Sequence, residues 1–147
     1  MSLTNNDSAS LRLDGIYLHE DSFHIVDMFF LYSDGTILSR GSIPKSRLEQ
    51  KILQLESSAD DKYKNVKFLW GRYIIVGEVI KFEKWAPSDK PYRAYVKEGK
   101  VLNDSTFVIN TSYNAKGNNL RNVNEIYRFR KTISKPDSSN KWVGSGD

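Results

Sequence analysis

The chain of 147 residues has no cysteine. Disulfides, thiolate metal sites and cysteine nucleophiles are therefore excluded. It has no apolar run long enough for a membrane-spanning helix. Nor does one sign of charge dominate. Twenty-two Lys and Arg stand against 18 Asp and Glu, for a net charge of +4. The two signs are interspersed, which describes a solvated surface and not a nucleic-acid footprint. The opening stretch, MSLTNNDSAS, lacks an apolar signal core. A polar, Asn/Ser-rich start of this kind is expected where a signal or lipid anchor has been trimmed. Residues 1–10 are read on that basis as a disordered or tether segment, with a membrane tether upstream and an extracytoplasmic position.

Chemical motifs are equally scarce. There is no Gly-x-Ser-x-Gly nucleophile elbow. Asp60-Asp61 falls in a polar linker and reads as solvated surface. Gly71 and Gly77 lie six apart within one hairpin, not between a strand and a helix, so they form no phosphate loop. The stretch HEDSFH holds His19, Glu20, Asp21 and His24. The two His are five apart in a strand–turn–strand, and a third metal ligand is not evident. The sequence thus predicts no enzyme, no metal site and no cofactor.

Apolar patterning is plentiful. Hydrophobic residues make up 39% of the chain and aromatics 12%, enough for one domain with a core. Most apolar segments have period two and are split by Gly, Asp and Asn. Strands are expected at about 13–19, 24–33, 36–41, 67–76, 79–85, 91–97, 100–102, 105–110 and 124–131. One segment, IPKSRLEQKILQLESS, differs: Leu48, Ile52 and Leu55 recur at helical spacing, after Pro44 suited to a first turn. Tight two-residue turns are expected at Asp34-Gly35, Gly77-Glu78 and Glu98-Gly99. The expected fold is all-β: an antiparallel up-and-down barrel of eight or nine strands, with one α-helix between the third and fourth. It spans residues 11–133, and 134–147 form a polar tail.

The segment WGRYIIVGEVIKFEKW tests this internally. With Gly77 and Glu78 as the turn, Tyr73 faces Phe82, Ile75 faces Ile80 and Arg72 faces Glu83. Tyr73, Ile75, Ile80 and Phe82 then form one apolar face, which is the interior. Trp70 and Trp85 fall together on the other face, where either the helix covers them or they form an exposed interaction surface.

Four stretches carry a resemblance. LDGIYL opens the first strand, with Gly15 and Tyr17 where lipocalins have Gly-x-Trp. WGRYIIVGEVI and GKVLNDSTFVI look like mid-barrel strands, and EIYRFRK like a closing strand. Together they resemble the lipocalin-like (calycin) small barrels of bacterial lipoproteins. The chain departs from them in having Tyr for Trp, an early helix and no disulfide. The resemblance implies that Tyr17 packs at the closed barrel end with Arg128 or Arg130 stacked on it, and that a cavity holds a small apolar ligand. Phe30, Tyr73, Phe82, Phe107, Tyr127 and Phe129 are the candidate lining; a filled core is the alternative. Arg93, Arg121 and Arg128 would meet an anionic head group if they point inward, and the polar stretch 110–123 would form a loop over the barrel mouth.

The functional expectation is a non-enzymatic binding module for a small apolar or amphipathic ligand. A filled barrel using the Trp70/Trp85 surface for protein or glycan contact is the other reading. The sequence leaves the oligomeric state open.

Overall fold

The computed structural model describes residues 11–57, 66–85, 94–114, 116–117, 119–140 and 142–143. Its strands are β1 (Gly15–Glu20), β2 (Ile25–Leu31), β3 (Thr36–Pro44), β4 (Trp70–Val76), β5 (Val79–Trp85), β6 (Ala94–Asn103), β7 (Thr106–Asn114) and β8 (Arg121–Lys131). Each pairs antiparallel with the next, and β8 pairs back to β1, closing the barrel. The helix α1 (Leu48–Ser57) lies between β3 and β4, as expected.

The β4–β5 hairpin has the expected register, with Arg72 opposite Glu83, Tyr73 opposite Phe82, and Val76 opposite Val79. Gly77 takes φ +61°, as the first residue of a type II′ turn requires. The β2–β3 turn is one residue longer than expected. The Gly35 amide donates to the Tyr32 carbonyl, Gly35 has φ +88°, and the Tyr32 amide donates to the Thr36 carbonyl. That is a type I turn closed by a left-handed glycine.

Two connections differ from expectation. Glu98-Gly99 is not a turn. It lies inside β6, where Gly99 stands opposite both Ile80 and Ile109, beside a register shift. A side chain there would overlap the Val108 carbonyl, so this glycine is needed for close strand approach. The 91–97 and 100–102 segments are therefore not two strands: 94–103 is one, and residues 91–93 lie outside the described residues. The true reversal follows at Asn103, whose Oδ1 accepts from the Ser105 amide at 2.9 Å. The polar stretch 110–123 is not one long loop either. β7 runs on to Asn114 and β8 begins at Arg121, with Thr111 opposite Asn122 and Ser112 opposite Arg121.

Hydrophobic residues divide into two clusters. Inside the barrel pack Tyr17, Phe29, Leu31, Ile37, Tyr73, Ile75, Ile80, Phe82, Phe107, Ile109 and Tyr127, with Phe129 beside them. Their rings touch in series. Tyr17 lies 5.3 Å from Phe107, Phe107 stacks on Tyr127 at 4.8 Å, and Phe29 lies 5.5 Å from Tyr127 and 5.6 Å from Phe82. Fully burying each such side chain stabilises the fold by about 1.5–3 kcal/mol. Their buried hydroxyls find carbonyls: Tyr73 donates to Tyr32 at 2.6 Å and Tyr17 to Arg12 at 2.8 Å.

The second cluster lies outside the sheet. It joins Ile16, Val26, Met28, Phe30, Leu38 and Trp70 to Leu55 of the helix and Val143 of the C-terminal segment. Phe30 is thus an outer residue and does not line the interior. Phe29 takes that role, because it stands opposite the inward-facing Tyr17 and strand residues alternate faces. The C-terminal segment is docked along its course. The Lys135 amine donates to the carbonyls of Leu13 and Leu31, and Ser134 to the Glu56 carbonyl.

Candidate functional site

The barrel ends differ. One carries the three short turns at residues 32–36, 76–79 and 103–106, together with buried Leu11. There Tyr17 packs on Phe107 and Phe129. Neither Arg128 nor Arg130 stacks on Tyr17: both stand outside. Arg130 makes a two-pronged pair with Glu49 of the helix at 2.6 Å, and the guanidinium of Arg12 lies 4.4 Å from the Phe129 ring.

At the other end the interior positions turn polar. Alternation sets them. Asp27 follows the inward Phe29 face of β2, and Lys84 continues the Ile80 and Phe82 series of β5. Register then places Tyr95 opposite Lys84, Lys97 opposite Phe82, and Glu125 opposite Ile109. His19, two residues beyond Tyr17, lies with its ring 5.2 Å from Tyr127. These side chains make this end of the barrel, its mouth, polar, next to the buried rings of Phe29, Phe82 and Tyr127.

Most of the mouth is internally paired. The Lys97 amine sits 2.7 Å from Glu125 Oε1, and the Tyr127 hydroxyl donates to the same oxygen at 3.3 Å. Ser42 donates to Asp27. The His19 Nδ1 lies 3.1 Å from the Ile126 carbonyl, which can only accept, so Nδ1–H donates to it. Burial, then the charges of Glu125 and Asp27, push the Tyr95 phenol up to about 12 and raise Tyr127 in the same direction.

Lys84 is the exception. It is 3% exposed, and among the described residues its one hydrogen bond runs 3.3 Å to the Leu69 carbonyl. Among the described residues, no carboxylate pairs with it. Its amine lies 5.4 Å from the Phe29 ring. Burial, reinforced by the positive charge of Lys97, lowers it to about 7. Gly71, opposite Lys84, makes the position tenable. A side-chain carbon at 71 would come within 2.6 Å of Lys84 Cγ. Lys135 shows the contrast. It too is lowered by burial, to about 8, but two carbonyls and the Tyr32 ring at 4.4 Å occupy it.

Of the expected lining residues, Tyr73, Phe82, Phe107, Tyr127 and Phe129 stand on the interior side. Only Phe82 and Tyr127 reach the mouth. Trp70 is fully buried in the outer cluster, so it presents no interaction surface; Trp85 is half-buried beside it, with the Lys67 amine 4.8 Å from its ring. Covering by the helix and C-terminal segment is the arrangement seen for Trp70. Arg121 and Arg128 are exposed, and Arg93 lies outside the described residues. His19 and His24 diverge: His24 pairs with Glu20 at 2.8 Å on the surface, while His19 turns to Tyr127. Among the described residues, no three His, Asp or Glu side chains are arranged to hold a metal ion.

Sequence reasoning missed Asp27, Lys84, Tyr95, Lys97 and Glu125. Lys84 had a signal, since it shares the alternation of Ile80 and Phe82. A charged residue at an inward position of an otherwise apolar strand marks the mouth of a site.

A scan of family models, a search of curated proteins and a search of solved structures each found no match to this chain.

Proposed function

We propose that this barrel is a non-enzymatic binding module of lipocalin-like type, taking a small amphipathic ligand at its polar mouth. One observation carries the reading: a buried amine, with no counter-charge among the described residues, lies beside aromatic rings at the polar end of a closed barrel. Burying an ammonium uncompensated is unfavourable, and such groups concentrate at functional sites. A closed eight-stranded barrel has room for side chains or one small ligand. Here the rings from Tyr17 to Phe82 fill the middle of the barrel. The ligand is therefore short and sits at the mouth, its polar group toward Lys84 and its apolar part on Phe29 and Tyr127. An anchored, extracytoplasmic position suits such a carrier.

Native mass spectrometry of protein gently purified from cells tests this. A bound small-molecule mass, lost in Lys84→Met, is expected. Ligand-free protein, together with no shift of the His19, Lys84 or Tyr127 NMR signals on titration with small aromatic carbonyl compounds and acids, would remove the reading.

A further inference from the structure

The mouth holds an amine that is both dehydrated and unpaired, and its neighbours bear on its chemistry. On β6 stand Tyr95 and Lys97, on β8 Glu125 and Tyr127, on β2 Asp27, and on β1 His19. Glu125 is taken by Lys97 and Tyr127, and Asp27 accepts from Ser42. Neither carboxylate holds Lys84 as an ammonium. The charge that acts on its amine is the like charge of Lys97. Desolvation beside a second cation is a setting in which lysine becomes a nucleophile toward carbonyl carbon. The neighbouring rings of Phe29, Phe82 and Tyr127 match a flat aromatic substituent in chemistry, and the filled interior limits its length.

We propose that Lys84 binds small aromatic aldehydes covalently, as a reversible Schiff base formed at the barrel mouth. This rests on the binding reading above and names its ligand class. The Nζ lone pair attacks the carbonyl carbon, and the carbonyl oxygen is protonated to give a carbinolamine. The first N–H proton goes to that oxygen; the second then leaves as the C–OH bond breaks, the two protons and that oxygen together making up the departing water. One water leaves and a C=N bond remains, with no oxidant or reductant needed. Neutral amine is the reactive form. At pH 7 about half of Lys84 is neutral, against roughly one part in 2,500 for an exposed lysine. A less basic amine is also a weaker nucleophile, so the net preference is set at about tenfold or more.

The test uses benzaldehyde with cyanoborohydride at pH 7, which reduces the imine to a stable secondary amine, followed by peptide mapping. The expected result is labelling at Lys84 about tenfold above every other lysine, with half-maximal labelling near pH 7. Lys84→Met should lose that adduct while keeping the wild-type near-ultraviolet circular dichroism. If that variant does not fold, the pH profile of wild-type labelling decides alone. Labelling spread evenly over exposed lysines, or centred on Lys135, overturns the proposal. NMR shifts at the mouth without an adduct at Lys84 also overturn it, yet leave non-covalent binding standing. Neither shifts nor adduct removes both.

Discussion

A methyl group at position 99 would overlap the Val108 carbonyl across the β6–β7 pair. Backbone, not a flexible side chain, is in the way, so the strands must part. Gly99→Ala is expected to destabilise the protein by about 3 kcal/mol or more, with unchanged far-ultraviolet circular dichroism, measured by urea denaturation. A change within a few tenths of a kcal/mol would instead fit a Glu98-Gly99 turn open to solvent. The pair KEGK reads as a turn because glycine marks both turns and tight strand approach, and only the partner strand tells them apart. Phe29 and Phe30 present the same difficulty. Both faces of β2 are apolar, so alternation gives two sets and does not say which is inside. Lys84 was legible in principle, since Phe82 and Ile80 define its face.

Among the elements, the β4–β5 hairpin was the most readable. Its Gly-Glu turn and its paired aromatics, aliphatics and charges all demand one register. The helix was readable for the same kind of reason, as Ile52 and Leu55 lie one turn apart and both are buried. Its role was less so: it covers Trp70, which the hairpin alone leaves on the outer face. Two substitutions separate packing from surface pairing here. Leu55→Ala should cost about 2–4 kcal/mol in thermal or chemical unfolding. Glu49→Ala removes the pair to Arg130, which is exposed and solvent-screened, and should change stability little. Equal costs would mean that the helix is held by its charges and not by the outer cluster. The C-terminal segment reads as a polar tail because Ser, Asp and Asn dominate it. Its docking depends on a few residues, Lys135, Trp142 and Val143, whose partners lie about a hundred positions away in the sequence.

At the scale of the whole molecule, closure pairs every described strand with a neighbour on each side, the β3–β4 seam being the shortest at Thr36–Leu38. Period two and turn residues predict that architecture. They do not predict which end gathers the polar groups, because that depends on how the strands are registered around the ring. The mouth gathers Asp27, Lys84, Tyr95, Lys97 and Glu125 from four strands, so no local motif could announce it. The mouth as a site turns on the state of Lys84. Its folded-state midpoint lies below that of the unfolded chain, so between about 7 and 10.5 the unfolded chain carries the extra proton and stability rises with pH. The cost of the buried ammonium is present in full below that window and absent above it. The direct measurement is NMR titration of the lysine Cε and Nζ signals, with Lys84 assigned through Lys84→Met. The prediction is a Lys84 midpoint near 7, well separated from exposed lysines near the ordinary 10.5. A Lys84 midpoint at the ordinary value would mean a solvated or paired amine, and would contradict the account of the mouth as a site built around it.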